Sequence, residues 1–513
     1  MQKNVLEYLE NTVEVYSDKI AFTDGTKGLS FREVYDAARS VGSGLCGYNR
    51  SLVLVVMSKC PEKISAFLGV IYSGNVYVPL DVDMHQSRIS QIIKKLSPPA
   101  AICDEKSAER LRSLGFEGDI YLYDEIRHTA ADEDALAEIR RRQVDTDPLY
   151  IVFTSGSTGE PKGVVANHGS VISYIDDLTG ILAISDKTVF GNQTPLYLDA
   201  SLKEIFSVLK YGASAYLIPK GHFMFPAKLI EYMNEHKINT VCWVSSALSI
   251  ISGLGILNAI KPEYLHTISF GSEVFPINQF TAWLEALPNA RFINLYGPTE
   301  ATGMSTFYEV DNNSPPEEVI PIGKAFPNTD VFLAIDGKEI TEPETQGIIY
   351  IRGRGVTQGY YDDEQKTNEV FVQNPLHNHY REIVYNTGDV GKYNDRGDLV
   401  YVCRNDHQIK RHGYRVELME IEKTAGEIKG VAAACCIYSR RFDNISLYYT
   451  VQPPAGAASC HPTEKELLLT LRKMIPQYML PNLIIKLETL PKQDNHKIDR
   501  AKLLKLTEDK LNG

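Results

Sequence analysis

The chain has 513 residues, of which 43% are hydrophobic and 23% charged, with 53 basic against 65 acidic side chains. One hydrophobic core does not fill this length, and the apolar fraction excludes a largely disordered chain, so two or more globular domains are expected. A formal net charge of −12 argues against a nucleic-acid-binding role, because phosphates attract clustered Lys and Arg.

Short apolar runs alternate with helical patterns through the first four hundred residues. Ser51–Ser58 predicts a buried strand and Pro61–Tyr72 a helix with apolar spacing near 3.6. Further short strands are predicted at Ala213–Pro219, Thr240–Val244 and Thr267–Phe270, separated by segments of helix length. This alternation predicts an α/β fold with a doubly wound parallel sheet.

The pattern changes toward the C-terminus. Gly347–Arg352 and Asp398–Cys403 lie between turn signals with no helix between them, which predicts a smaller β-rich subdomain. A boundary is predicted near Arg404, dividing an N-terminal domain of residues 1–405 from a C-terminal α+β domain of residues 406–513. The elements predicted in the second domain are a helix over 417–425, a strand over 431–438 and a helix over 464–474.

The eight cysteines show no CxxC spacing, so neither a zinc knuckle nor a redox dithiol is supported. Scattered thiols in a long chain fit a reducing compartment. The N-terminal segment carries acidic residues and lacks the apolar run of a signal peptide, and no apolar stretch approaches the ~18 residues of a membrane span. We therefore expect a cytoplasmic protein.

The segment of residues 150–165, YIVFTSGSTGEPKGVV, carries the first chemistry. Small residues let backbone N–H groups turn inward, hydroxyls add donors, and Lys162 adds a positive charge, which together predict a cradle for phosphate oxygens. A flexible hairpin loop is the alternative, and the Pro and Lys that follow the hydroxyl-rich run make it much the weaker one. The spacing differs from that of the Walker loop.

This segment resembles the signature of the adenylate-forming superfamily, which includes acyl-CoA synthetases and the adenylation domains of nonribosomal peptide synthetases. The resemblance covers essentially the whole chain, and within the superfamily it is strongest to amino-acid-activating members and, through His412–Arg415 (HGYR), to D-alanine:carrier-protein ligases. It implies an AMP-binding N-terminal domain, a mobile C-terminal lid and a hinge at Asp406. The other supporting motifs, in family order, are LSFREV, GNVYVPLD, NLYGPTEAT, YNTGD, PQYMLP and NHKIDR.

The resemblance implies ATP and Mg²⁺ as cofactors. Glu300 matches the Mg²⁺ ligand, and Asp389 matches a carboxylate whose two oxygens suit the two ribose hydroxyls. For Arg404 a structural ion pair is the alternative role. The positions that match nucleotide-binding residues are Thr154, Ser155, Gly156, Ser157, Thr158, Gly159, Lys162, Asn294, Tyr296, Gly297, Thr299, Asp389, Tyr401 and Arg404.

The catalytic residues implied by the resemblance are Thr154, Lys162, Glu300 and Lys497. Lys497 resembles the lysine of the C-terminal domain that touches the substrate carboxylate and the AMP phosphate. Its neighbour His496 departs from the family, which usually has Gly there, and Gly permits a positive φ that His tolerates less well. The exact position of Lys497 is therefore left open.

Asp199 matches the carboxylate that pairs with the substrate α-amine, which favours an amino acid over fatty or aryl acids. Bulky residues around it suggest a small side chain, while Lys203 suggests an acidic one or points to solvent. The stereochemistry stays open, with the HGYR motif favouring D-alanine. The remaining residues expected to line the substrate pocket, together with Lys497, are Ala200, Lys203, Cys242, Ile268, Phe270, Gly271, Leu295, Gly303 and Met304.

The resemblance therefore implies ATP-dependent activation of a small amino acid as aminoacyl-AMP with release of pyrophosphate. Because no carrier-protein serine motif occurs in the chain, transfer to the phosphopantetheine thiol of a separate carrier protein is expected. An acyl-CoA ligase that uses the same first step is the alternative. A non-enzymatic scaffold is disfavoured, because Lys162, Glu300, Asp389 and Lys497 are all present.

Overall fold

The computed structural model describes residues 2–154, 160–404, 408–451, 462–492 and 498–512. These residues form two compact units. The larger comprises the described residues of Met1–Asp83, Lys95–Phe153 and Gly163–Asn405, and the smaller those of Met84–Lys94, Thr154–Lys162 and Asp406–Gly513. The predicted boundary at residues 405 and 406 lies outside the described residues, as does the hinge at Asp406, and both stay predictions.

The described elements follow one another in chain order, helices and strands being numbered separately. The helices are α1 Leu6–Tyr16, α2 Phe31–Gly44, α3 Pro61–Tyr72, α4 Gln86–Leu96, α5 Glu105–Ser113, α6 Tyr123–Ile126, α7 Glu133–Arg142, α8 His168–Ile181, α9 Leu202–Tyr211, α10 Pro226–Glu235, α11 Ser245–Gly253, α12 Ile277–Ala286, α13 Glu364–Val370, α14 Leu418–Gly426, α15 Glu464–Leu471 and α16 Arg500–Asn512. The strands are β1 Ile20–Thr23, β2 Gly28–Ser30, β3 Leu52–Val56, β4 Val76–Leu80, β5 Ala100–Cys103, β6 Asp119–Leu122, β7 Pro148–Thr154, β8 Lys162–Asn167, β9 Val189–Asn192, β10 Ser214–Leu217, β11 Thr240–Val244, β12 Thr267–Gly271, β13 Arg291–Tyr296, β14 Thr306–Glu309, β15 Lys324–Ala325, β16 Thr329–Ile335, β17 Lys338–Ile340, β18 Gly347–Gly353, β19 Phe371–Gln373, β20 Ile383–Tyr393, β21 Leu399–Arg404, β22 Gln408–Arg411, β23 Tyr414–Glu417, β24 Val431–Ser439, β25 Asn444–Val451 and β26 Leu483–Lys486.

Two sheets form the body of the larger unit. One has the strand order β15-β14-β13-β12-β11-β9-β10-β1-β2, and the other has the order β6-β5-β3-β4-β7-β8. The central pairs β9 to β13 of the first sheet and β3 to β6 of the second are parallel. Parallel neighbours need crossover connections, which helices provide here. The predicted α/β fold with parallel sheets is confirmed.

A third sheet of the larger unit is antiparallel. Its order is β17-β16-β18-β20-β19, with β21 paired to β20. The sequence predicted strands over 347–352 and 398–403, and the structure places them at β18 and β21 with ends shifted by one residue. The predicted β-rich subdomain is therefore present.

The smaller unit contains its own core around Val416, Ile421, Leu447 and Leu467. The strands β24, β25 and β26 form one sheet, and β22 and β23 form a hairpin. The predicted helix over 417–425 is α14, and the helix over 464–474 ends earlier, as α15 at Leu471. No helix in the described parts of the chain combines the length and apolar character needed to cross a membrane.

A buried histidine joins the chain start to the core of the larger unit. His168 begins α8, is 2% exposed, and its Nδ1 accepts a 3.4 Å hydrogen bond from the backbone N–H of Val5. Burial, reinforced by the charge of Arg140, lowers the pKa of His168 to about 3. The imidazole is therefore neutral in the folded protein well below the pH at which a free histidine is charged.

From the low pKa of His168 we predict that the folded protein loses stability in acid. Between pH 6.5 and 3 the unfolded chain binds a proton at His168 that the folded chain does not, so stability falls as the pH drops. We expect its contribution to be a loss of about 2 kcal/mol from pH 7 to pH 5, measured by urea unfolding at both values. His168→Gln removes this contribution, whereas exposed His128→Gln keeps it. An equal loss in wild type and His168→Gln contradicts the assignment.

Candidate active site

Two aromatic rings and an ion pair meet at the end of β13. Tyr296, the last residue of that strand, donates a 2.6 Å hydrogen bond from its hydroxyl to Oδ2 of Asp389, which is 2% exposed. Nη1 of Arg404 donates to Oδ1 of the same carboxylate at 3.0 Å. The ring of Tyr401 lies 6.5 Å from that of Tyr296, centroid to centroid. The structure thus brings together four of the residues predicted to bind nucleotide.

Strand pairing explains this geometry. Asp389 on β20 lies directly opposite Arg404 on β21, so the ion pair is built into the antiparallel register. Burial raises the pKa of the Tyr296 hydroxyl well above its usual value, and the negative charge of Asp389 adds to the shift. Nδ2 of Asn294, another predicted nucleotide contact, donates to the backbone oxygen of Pro321 at 2.8 Å. Its amide nitrogen therefore fixes the strand end.

The turn after β13 allows no side chain at Gly297. A Cβ built there would lie 2.4 Å from the backbone oxygen of Gly303 and 2.5 Å from the Cα of Met304. The next turn holds Thr302 at φ +55°, an unusual conformation for a β-branched residue, and its hydroxyl donates to Gly355 at 2.7 Å. Strain of this kind is found at functional sites.

Glu300 is completely buried in the short 3₁₀ turn Thr299–Ala301. One oxygen of its carboxylate accepts a 2.7 Å hydrogen bond from the hydroxyl of Tyr360. The segment around Tyr360 pairs with β8 through a bridge between Val164 and Tyr360. Sequence reasoning missed Tyr360, which lies in the glycine-containing stretch after β18. The structure thus gives the predicted Mg²⁺ ligand a defined orientation.

Asp199 lies in the 3₁₀ turn Asp199–Ser201 before α9 and is 9% exposed. Burial raises the pKa of Asp199 above its usual value, the charge of Glu300 adds to this, and the hydroxyl of Thr299 opposes it. The predicted amine-binding carboxylate therefore adjoins the predicted phosphate and metal residues. A buried carboxylate in this position strongly selects a cationic group.

Several further predicted pocket residues are buried, and the charge of one of them, Lys203, acts on Asp199. Lys203 and Cys242 are buried, and burial raises the pKa of the Cys242 thiol to about 12, with the charge of Glu204 adding to the shift and that of Lys203 opposing it. Gly303 lies against Tyr174, whose ring a Cβ on Gly303 would meet at 2.7 Å. Of the other predicted residues, Ala200 is half-buried, and Leu295, Gly271 and Met304 are buried.

The predicted pocket residues of β12 lie on two faces of the strand. Successive side chains of a strand point to opposite faces, and the register sets Cys242 opposite Ser269 on β12. Ser269 therefore shares the face of Cys242, and its hydroxyl partly opposes the rise that burial causes in the pKa of that thiol. Ile268 and Phe270 instead pack into a separate core, with the ring of Phe270 5.1 Å from that of Phe275. The assignment of Ile268 and Phe270 to the substrate pocket stays a prediction.

The predicted phosphate loop is described only at its ends. Thr154 ends β7, and its hydroxyl oxygen is buried with no hydrogen-bond partner among the described residues. Lys162 begins β8. Ser155, Gly156, Ser157, Thr158 and Gly159 lie outside the described residues, as do Asp406, His496 and Lys497.

These residues fit the predicted nucleotide and metal. A buried hydroxyl without a partner at Thr154 suits a phosphate oxygen, and Glu300 offers the hard carboxylate oxygen that Mg²⁺ prefers. Among the described residues no group of three or more His, Cys, Asp or Glu side chains could hold a metal by itself. One or two carboxylates suffice where substrate phosphates supply the other ligands.

Comparison with known proteins identifies a matching family and several relatives. The family described as AMP-binding enzyme matches residues 9–361 of the chain. D-alanine–D-alanyl carrier protein ligase of Bacillus licheniformis is 30% identical over 517 residues, covering 97% of this chain and 98% of that protein. Tyrocidine synthase 1 of Brevibacillus parabrevis is 27% identical, covering 98% of this chain and 45% of that protein.

The chain spans 45% of tyrocidine synthase 1 and between 9% and 19% of four other curated synthases that it matches. Among solved structures, the adenylation domain AlmE of Vibrio cholerae, in complex with glycyl-adenosine-5′-phosphate, superimposes with a TM-score of 0.84. It is 21% identical and covers 99% of this chain and 98% of that one. This likeness establishes the fold.

Proposed function

Since the chain belongs to the family of AMP-binding enzymes, ligases that form an adenylate, we propose that it activates a small amino acid as aminoacyl-AMP and releases pyrophosphate. The activated acyl group then passes to the phosphopantetheine thiol of a separate carrier protein. The observation that carries the amino-acid assignment is Asp199, a buried carboxylate beside Thr299 and Glu300. An ammonium on the substrate pairs with it and sets the adjoining carboxylate toward the nucleotide.

The nucleotide site rests on the cluster at the end of β13. Asp389 binds the ribose hydroxyls, with Arg404 and Tyr296 holding its two oxygens in place. The rings of Tyr296 and Tyr401 offer a face for the adenine. Asn294 and Gly297 shape this end of the site, and Thr154 and Lys162 meet the phosphates.

The reaction joins a carboxylate oxygen of the amino acid to the α-phosphorus of ATP while the bond to pyrophosphate breaks. Negative charge on the phosphates must be neutralised, a task assigned to Lys162 and to Mg²⁺, which supplies electrostatic stabilisation when bound through Glu300. In the second step the carrier thiolate attacks the acyl carbonyl and AMP leaves. The relative named as a carrier protein ligase, which matches this chain over nearly its whole length, supports such a partner.

Pyrophosphate release with ATP and Mg²⁺ tests the proposal. The substrates are L- and D-amino acids, with fatty and aryl acids as controls. We expect release with one or a few amino acids and none with acids that lack the amine. Release with fatty or aryl acids alone overturns the proposal and favours the acyl-CoA ligase.

Lys497 provides a further prediction, based on the family resemblance since it lies outside the described residues. Lys497→Ala is expected to lower amino-acid-dependent pyrophosphate release about 100-fold or more, because a cation near the reacting carboxylate and phosphate stabilises the developing charge. The exposed Lys505→Ala on α16 serves as the matched control. Adenylation near the wild-type rate in Lys497→Ala contradicts the assigned role.

A further inference from the structure

Lys59 connects the two sheets that form the body of the larger unit. It follows strand β3 of one sheet and is half-buried, and its Nζ donates hydrogen bonds to three backbone oxygens near strand ends of the other sheet. These are the oxygens of Asn192 at 2.9 Å, Gln193 at 3.2 Å and Ile218 at 3.3 Å. An ammonium has three protons, so Lys59 uses its whole donor capacity in this connection.

The backbone oxygens that Lys59 holds lie at the start of the segment that leads to Asp199. Asn192 is the last residue of β9, and Asp199 opens the 3₁₀ turn before α9. Residues 193–198 between them belong to no helix or strand. Backbone oxygens outside regular structure need other hydrogen-bond donors, and Lys59 supplies one to Gln193. The ammonium therefore fixes the start of a segment whose end carries the proposed amine-binding carboxylate.

Lys63 offers a comparison from the same region of the chain. It lies in α3, is 1% exposed, and its Nζ donates to the backbone oxygens of Met57 at 2.8 Å and Leu80 at 2.7 Å. Met57 follows β3 and Leu80 ends β4, and these two strands are neighbours in one sheet. Lys63 thus stabilises its own sheet, whereas Lys59 reaches the segment that leads to Asp199.

A charge on α9 also acts on Lys59. Glu204 is buried in the first turn of that helix, which follows the turn of Asp199. Burial lowers the pKa of Lys59 to about 7, and the negative charge of Glu204 opposes this shift. The charge of Lys220 adds to the shift and that of Asp81 opposes it. The protonated form, which alone can donate to three oxygens, therefore predominates below pH 7.

We propose that Lys59 is a positioning residue for the amino-acid substrate. By holding the oxygens of Asn192 and Gln193, it keeps the segment before Asp199 in one conformation, so that the carboxylate is in place before the substrate ammonium arrives. Preorganisation of this kind lowers the cost of binding. The inference rests on the proposed function and assigns Lys59 no contact with substrate or nucleotide, because its effect passes through Asp199.

Pyrophosphate exchange measures this effect. The amino acid that wild type prefers is varied at saturating ATP, and ATP is varied at saturating amino acid, at about pH 6.5 so that Lys59 is mainly protonated. Lys59→Met keeps much of the side-chain length but has no donor. We expect its KM for the amino acid to rise about 10-fold to 100-fold, since a small misplacement of a site group is costly.

The other kinetic constants and two further variants complete this measurement. In Lys59→Met, KM for ATP and kcat are expected to stay within about 3-fold of wild type, because bound amino acid restores the position of Asp199 at saturation. Lys59→Arg remains charged and is expected to recover most of the affinity for the amino acid. Lys187→Met, at an exposed lysine of the same unit, is the matched control and is expected to leave both KM values unchanged.

A double variant separates positioning from a general structural role. Because Lys59 acts through Asp199, adding Lys59→Met to Asp199→Asn is expected to lower kcat/KM by less than about 3-fold further. Losses that multiply in the double variant overturn the inference. So do KM values for amino acid and ATP that rise equally in Lys59→Met, and so does an unchanged KM for the amino acid.

The outcomes also separate this inference from the proposed function. Wild type that exchanges pyrophosphate with no amino acid overturns the proposed function and the inference with it, whereas the results above overturn the inference alone. If Lys59→Met does not fold, as judged by circular dichroism, Lys59→Gln takes its place, since the amide donates two hydrogen bonds without a charge. Its KM for the amino acid is expected to rise about 3-fold or more with KM for ATP unchanged, and an unchanged KM for the amino acid overturns the inference.

Discussion

Replacing Asp199 by asparagine is expected to lower kcat/KM for amino-acid-dependent pyrophosphate release about 100-fold to 1000-fold. Asp199 is 9% exposed, and removing one partner of a buried ion pair costs about 3–5 kcal/mol, with each 1.4 kcal/mol equal to a factor of ten. The decrease in kcat/KM is expected because the substrate ammonium binds less tightly and the reacting carboxylate is less well oriented. The measurement is pyrophosphate release at several concentrations of the preferred amino acid.

The control is Asp134→Asn, at an exposed position in the first turn of α7. It makes the same chemical change away from the site and is expected to leave kcat/KM unchanged. A des-amino analogue of the substrate offers a second comparison, because it should be poor with wild type and lose little further activity with Asp199→Asn. Unimpaired use of amino acids by Asp199→Asn contradicts the account of amine recognition.

Replacing Glu300 by glutamine is expected to lower pyrophosphate release about 100-fold and to raise the Mg²⁺ concentration that gives half of the maximal rate. The amide keeps the size of the side chain and still accepts the hydrogen bond from Tyr360, but it removes the negative charge that a hard cation prefers. The rate is measured at fixed ATP over a range of Mg²⁺ concentrations.

A control variant and a variant of the hydrogen-bonding partner accompany this measurement. Glu285→Gln, at an exposed position of α12, repeats the change of charge elsewhere and is expected to be silent. Tyr360→Phe removes the 2.7 Å hydrogen bond and keeps the carboxylate, so a smaller loss of about 10-fold is expected, consistent with a positioning residue. A Mg²⁺ dependence in Glu300→Gln equal to that of wild type rules out Glu300 as the metal ligand.

Hydrophobic periodicity predicted several elements of the larger unit. The helix over Pro61–Tyr72 and the strand over Thr240–Val244 have the predicted bounds. Nearly all residues of both elements are buried, so the apolar run in the sequence marks where each begins and ends. Ends are harder to predict: the strand expected over 51–58 is five residues long, at Leu52–Val56, and Met57 is buried just outside it. Helix α15 likewise ends at Leu471, before the apolar pattern does.

Site residues could be predicted from the sequence where they lie inside a recognisable motif. Tyr296, Asp389 and Arg404 come together as expected, although they are far apart in the chain. Which residues of β12 line the pocket is harder to predict, since a shift of one residue along a strand turns a side chain to the other face, and the sequence does not show which face meets the pocket. Tyr360 was missed because only tertiary packing brings it to Glu300.

Lys203 shows what burial adds to sequence reasoning. In the sequence it fits either a solvent-exposed lysine or a substrate-binding one, because long basic side chains often extend to water. The structure shows it 5% exposed, beside Asp199 and Glu204. That burial argues against the solvent-exposed alternative.

The most direct test of the central claim is mass spectrometry of the product formed by the enzyme with ATP, Mg²⁺ and a mixture of amino acids, fatty acids and aryl acids, before any thiol is added. The account predicts one dominant adenylate, with AMP joined to the carboxylate of an α-amino acid, and pyrophosphate in equal amount. An adenylate of an acid that lacks the amine, or ADP in place of AMP and pyrophosphate, would contradict it.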